Sequence, residues 1–130
     1  MKWLLIAAGG ALGAVSRYAV SVFISERAGT GFPWATLAVN LAGCFVIGIL
    51  FELAEVAVIP FQFRLLFITG FIGAFTTFST FGWETAALLR DSEWLYAGLY
   101  IAGSILLGIA LVFGGILLSK GILFLIRRPG

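Results

Sequence analysis

Four long apolar runs, separated by short polar clusters, set the pattern of this chain. They cover residues 3–24, 34–53, 64–90 and 94–119. The first break is Ser25-Glu26-Arg27-Ala28-Gly29-Thr30-Gly31-Phe32-Pro33. The second lies between Ala57 and Phe63 and contains Pro60, and the third is Asp91-Ser92-Glu93. A helix needs about 20 predominantly apolar residues to cross a bilayer. The pattern therefore predicts an all-α membrane protein of four transmembrane helices, with no sizeable soluble domain. Lys2 before an apolar run, and the small residues of Ala11-Leu12-Gly13-Ala14, resemble a signal peptide. The run continues to Ile24 with Arg17 inside it, so a retained span is the expectation. Gly9 with Gly13, and Gly10 with Ala14, form small-xxx-small faces that let helices pack closely in lipid.

The third run changes character in its middle. Gly70-Phe71-Ile72-Gly73-Ala74-Phe75 leads into Thr76-Thr77-Phe78-Ser79-Thr80-Phe81. Glycines and consecutive β-branched threonines weaken a helix. In lipid, any freed backbone group must find a partner in protein or in a water-filled cavity. The run is long for a straight span, as a break would require. The pattern thus predicts a third helix broken at membrane depth, where transporters build ion or substrate sites. Phe78 and Phe81 are three residues apart and share one face of any helix that follows.

Composition agrees with the spans. The chain of 130 residues is 62% hydrophobic and 11% charged, with a mean hydropathy of +1.13. A net charge of +2 is too small to argue for nucleic acid. Cys44 is the single cysteine and there is no histidine, which excludes an intrachain disulfide and disfavours a zinc site or a histidine proton relay. With four spans, Lys2, Arg64, Lys120, Arg127 and Arg128 fall on one side, against Arg27 and Arg90, or three with Arg17, on the other. The positive-inside rule then places the termini in the cytoplasm, with a bias modest enough to permit both orientations.

A few polar residues stand inside the apolar runs. Asn40 reads two ways. A buried amide costs several kcal/mol unless paired, so it forms either a structural bond between helices or a pair of N–H donors for an anion. Arg17 lies inside the first run, where a charge faces the bundle interior or a cavity, unless it snorkels to the interface. Glu84 sits three residues beyond Phe81, at a vestibule or at the water boundary. Thr76, Thr77, Ser79, Thr80 and Ser104 can donate and accept, although a lone hydroxyl more often bonds a carbonyl one turn earlier. A phenylalanine ring offers a positive edge to an anion or a negative face to a cation, and the pattern leaves both open.

Taken together, the length, the four runs, Ser16-Arg17-Tyr18, Asn40 followed by Gly43, and above all the stretch from Gly70 to Phe81 resemble the Fluc (CrcB) family of fluoride channels. The resemblance covers essentially the whole chain. It implies a passive, fluoride-selective channel that exports fluoride from the cytoplasm, in the plasma (inner) membrane. It implies an antiparallel dual-topology dimer with two pores, formed by two copies or with a homologous subunit. By motif position, Phe78 and Phe81 match the rings whose edges line the fluoride path, and Asn40 matches an amide that coordinates the anion. Ser79, Thr80 and Ser104 match the polar track beside it, Glu84 the acidic residue past the motif, and Arg17 the basic residue of the first helix. The family's central Na⁺, structural and not transported, would rest on the backbone carbonyls of Gly73 and Thr76 from each subunit.

Two other readings remain open. A proton-coupled exporter of small cations needs a membrane-embedded carboxylate, for which only Glu52 and Glu84 qualify. A non-transporting membrane assembly protein explains the glycines and leaves the hydroxyl–phenylalanine stretch without a role. An enzyme is not expected, because the chain carries no nucleophile–base pair and no metal cluster.

Overall fold

A computed structural model describes residues 1–29, 31–56 and 59–126. Among these the chain is helical, with no strand. Helix α1 is Lys2–Ala28, and α2 is Trp34–Glu55. The third run holds two helices. The first, α3 (61–75), begins with the turn Phe61–Phe63, continues as a π-helix over Arg64–Ile72, and closes with the turn Gly73–Phe75. The second, α4, is Phe78–Arg90. Helix α5 is Trp94–Ile126. Four stretches are long and apolar enough to cross a membrane: Lys2–Ala28, Trp34–Glu55, Phe61–Arg90 and Trp94–Ile126.

The helices outrun the apolar runs that predict them. Helix α1 takes in Ser25–Ala28 of the expected polar connection. Polar residues continue a helix readily once it leaves lipid, and Arg27 Nη1 donates back to the Phe23 carbonyl at 3.0 Å. The connection expected to reach Phe63 ends at Pro60, whose residue position suits the start of a helix, and Phe61 is already helical. Part of that connection, Ala57 and Val58, lies outside the described residues, as do Thr30, Arg127 and Arg128.

Small residues set the packing. A Cβ on Gly9 would overlap the Leu66 carbonyl, and one on Gly13 would overlap the Phe71 carbonyl. Helix α1 therefore lies directly on the backbone of the π-helical stretch. Without a hydrophobic drive between helices in lipid, such close approach supplies the dispersion contacts that hold them. Helices α2 and α5 meet in the same way. Cys44 lies against Gly108, Gly48 against Val112, and Phe45 and Ile49 against Gly115. Both sequence numbers rise together, so the two helices run parallel. Buried residues are few, with Val39, Ala97, Tyr100 and Ser119 the most enclosed. Large apolar side chains such as Leu12, Phe51 and Leu106 face outward, as they do when the surrounding solvent is lipid.

Candidate functional site at the helix break

Between α3 and α4 the chain leaves the helix for two residues. Thr76 has φ −78° and ψ 157°, and Thr77 has φ −149° and ψ 110°. Both are extended, which suits β-branched side chains. Extension takes the Thr77 amide away from the carbonyl one turn earlier, that of Gly73. Asn40 of α2 replaces it: the Thr77 N–H donates to Asn40 Oδ1 at 2.8 Å, and Asn40 Nδ2 donates to the Thr77 carbonyl at 3.1 Å. Asn40 is thus a structural bond between helices, and one of its N–H groups remains available.

Each threonine of the break has a separate task. Thr76 Oγ1 bonds back to the Ile72 carbonyl at 3.1 Å. Thr77 caps α4, because its Oγ1 accepts from the Thr80 N–H at 3.3 Å. That oxygen also lies 2.9 Å from Thr80 Oγ1 and 3.4 Å from Ser79 Oγ. Such a cap contributes about 1 kcal/mol. Among the described residues, no protein donor reaches the Gly73 carbonyl and no acceptor reaches the Phe78 or Ser79 amide. One helix end therefore presents free carbonyls and the other free N–H groups, with the matching ends of two helix dipoles.

A groove of about 500 Å³ opens beside this break. Asn40, Thr77, Phe78, Phe81 and Ser104 line one part of it, and Gly73 and Thr76 also border it. The other part is apolar, with Ile47, Phe51, Ile68, Ile72 and Ile105. The Ser104 hydroxyl oxygen is buried and has no partner among the described residues. Since Cys44 faces Gly108 on parallel helices, one turn back on each puts Asn40 and Ser104 at one level. Phe78 is 84% exposed, and its ring centroid lies 5.5 Å from that of Phe81. Phe81 leans on Tyr100 at 5.0 Å.

The remaining residues singled out from the sequence lie elsewhere. Glu84 does not line the groove. It accepts from Thr36 Oγ1 at 2.8 Å and from the Tyr100 hydroxyl at 2.7 Å, and it borders a separate cavity of about 340 Å³ with Phe32, Trp34 and Asp91. Ser79 is exposed. Arg17 and Thr80 share a third cavity, of about 230 Å³, with Thr36 and Thr77. Arg17 makes no ion pair among the described residues. The break thus divides the residues between two faces of the start of α4.

Sequence reasoning did not single out Thr36 as a partner of Glu84. The only signal was its place four residues before Asn40, hence on the same helical face. Nor did it foresee the π-helix, or Cys44 in the groove.

The comparisons with known proteins point the same way along nearly the whole chain. The model of the family described as CrcB-like protein, Camphor Resistance (CrcB), matches residues 4–116. A Fluoride-specific ion channel FluC of Chlorobaculum tepidum is 52% identical over 118 residues, which are 90% of this chain and 93% of that protein. A protein of the same name from Prosthecochloris aestuarii is 47% identical over 118 residues, 90% and 91% of the two chains. Another, from Nitrosococcus oceani, is 47% identical over 121 residues, 92% and 95% of the two. These relatives are ion channels by name and not enzymes, in line with the expectation that this chain is not an enzyme. Four helices able to span a bilayer, with such relatives, make it a multi-pass membrane protein. On a family match and identities of this extent, the chain belongs to the CrcB family.

Proposed function

We propose that this protein is a fluoride-specific channel of the plasma (inner) membrane that lets fluoride leave the cytoplasm passively. The observation that carries the reading is the groove at the helix break, where Asn40, Thr77, Phe78, Phe81 and Ser104 meet, in a chain whose relatives are named as fluoride channels. Fluoride is small and strongly hydrated. Replacing its water takes several donors together, yet each contact must be weak enough to permit exit. The free N–H of Asn40, the Ser104 hydroxyl and the edges of Phe78 and Phe81 are donors of that kind, and none is a fixed full charge. The unpaired amides at the start of α4 add the positive end of a helix dipole nearby. Ser79, Thr80 and Glu84 belong to the flanking polar surface, with Arg17 supplying positive potential behind the break.

The groove is half open, and Phe78 stands out of the fold. A second copy in the opposite orientation would close it, giving an antiparallel dual-topology dimer with two pores and a third helix broken at mid-membrane. The central Na⁺ fits the donor set: the Gly73 and Thr76 carbonyls lie at the free carbonyl end of α3, and backbone oxygens at half-helix ends suit hard monovalent cations. The ion, when bound, would hold the carbonyl ends of two subunits together; it is not cargo. For export, weakly acidic HF that enters and dissociates leaves F⁻ inside. The membrane potential then drives the anion outward, at about 2.3 kcal/mol per charge per 100 mV.

Fluoride efflux from liposomes tests the proposal, with a fluoride electrode as detector and chloride as the parallel anion. Passive fluoride loss without chloride loss is expected. No fluoride loss from folded, dimeric protein would overturn it, and proton-driven uptake of an organic cation would move the chain to the exporter class.

A further inference from the structure

The described cations at the end of the molecule where α1 and α3 begin are engaged unequally. Arg64 donates to the carbonyls of Ile59 and Ala54, closing the C-terminal end of α2. Lys120 faces Glu52 at 3.9 Å. Lys2 has no carboxylate or carbonyl partner among the described residues; its ammonium lies 5.5 Å from the centre of the Phe61 ring. At the same place the starts of α1 and α3 flank a half-open cleft of about 430 Å³ lined by Lys2, Trp3, Leu5, Phe61, Gln62 and Leu65. It lies at the end of two stretches long and apolar enough to cross a membrane, the end of a span being where lipid headgroups meet a protein.

We propose that this cleft seats an anionic phospholipid, with its phosphate on Lys2 and the Gln62 amide and its upper acyl chain along Leu5 and Leu65. Charge complementarity selects the occupant. Lys2 is a strong donor left without an anion, beneath it lies an apolar floor, and beside it stands Trp3, 84% exposed, an amphipathic ring of the sort that settles at the membrane interface. Basic pockets between transmembrane helices hold lipid headgroups by this logic. The start of α1 carries no side-chain cap, so its dipole adds to the same field. A zwitterionic lipid brings its own ammonium to Lys2 and is the poorer fit.

Native mass spectrometry of the whole protein, titrated with phosphatidylglycerol and with phosphatidylcholine of the same chains, tests the site. Retention of phosphatidylglycerol at least about fivefold above phosphatidylcholine is expected. Lys2→Gln and Lys2→Glu should remove that preference, and Gln62→Ala should weaken it. Lys120→Gln, at the same end but outside the cleft, should retain it. Equal retention of the two lipids by the unaltered protein would overturn the proposal. So would an unchanged preference in both Lys2 variants, and so would an equal loss in Lys120→Gln, which would mean diffuse surface charge. Lys2→Gln keeps the test sound if Lys2→Glu fails to insert.

Discussion

Asn40 commits its carbonyl and one N–H to Thr77, so its side chain serves the fold before it serves any ion. Asn40→Ala would leave the part-buried Thr77 amide and carbonyl without their partners, at up to about 1–3 kcal/mol each. A lower unfolding temperature in detergent together with lost fluoride flux is expected. Asn40→Asp would set a carboxylate against the Thr77 carbonyl, and should lose both properties as well. The two phenylalanines should separate by the same pair of measurements. Phe78 is almost wholly exposed, whereas Phe81 rests on Tyr100. Phe78→Ile and Phe81→Ile should each impair flux, but only Phe81→Ile should also lower the unfolding temperature. Unchanged flux in both would remove the aromatic path.

Among the helices, the contact of α1 with the π-helical stretch makes the sharpest demand. Gly13→Val would drive a side chain into the Phe71 carbonyl, while a Cβ at Gly10 meets nothing within 4 Å. Loss of folded protein in size-exclusion profiles is expected for Gly13→Val, and an unchanged profile for Gly10→Ala. Thr77→Val removes the cap of α4 and should cost about 1 kcal/mol, read as a modest shift in the unfolding temperature. The four spans were legible from sequence because lipid imposes a long apolar run on any helix that crosses it. The interruption at Thr76-Thr77 was legible from its glycines and hydroxyls. The π-helix was not: Arg64–Ile72 has no local residue pattern that widens a helix, and it lies where α1 presses on backbone. The partners of Glu84 were hidden for a related reason. Thr36 and Tyr100 are 48 and 16 residues away, and only the packing of α2 and α5 against α4 brings them together.

For the whole molecule, the expectation concerns a second copy. If Na⁺ joins the Gly73 and Thr76 carbonyls of two subunits, replacing Na⁺ by a large organic cation should shift the protein from dimer toward monomer, and flux should fall with it. Light scattering in detergent and efflux from matched liposomes measure the two. A dimer of unchanged stability and activity without Na⁺ would remove the ion from the account. The residues that would meet across such an interface were named by family resemblance alone, since one chain's sequence holds no record of which of its apolar faces a copy covers.

Helix α5 has 33 residues, which is about 50 Å of helix at 1.5 Å per residue. The hydrocarbon core it crosses is about 30 Å thick, and an ordinary tilt of about 20° takes up little of the difference. Ile122, Leu125 and Ile126 remain exposed beyond Lys120, so the surplus is apolar. The protein is therefore built tall for its bilayer, and hydrophobic mismatch should tune it. Lengthening the acyl chains of the host lipid from about 14 to about 20 carbons should raise the protein's thermal stability. The same series should leave a variant truncated after Lys120 nearly unaffected.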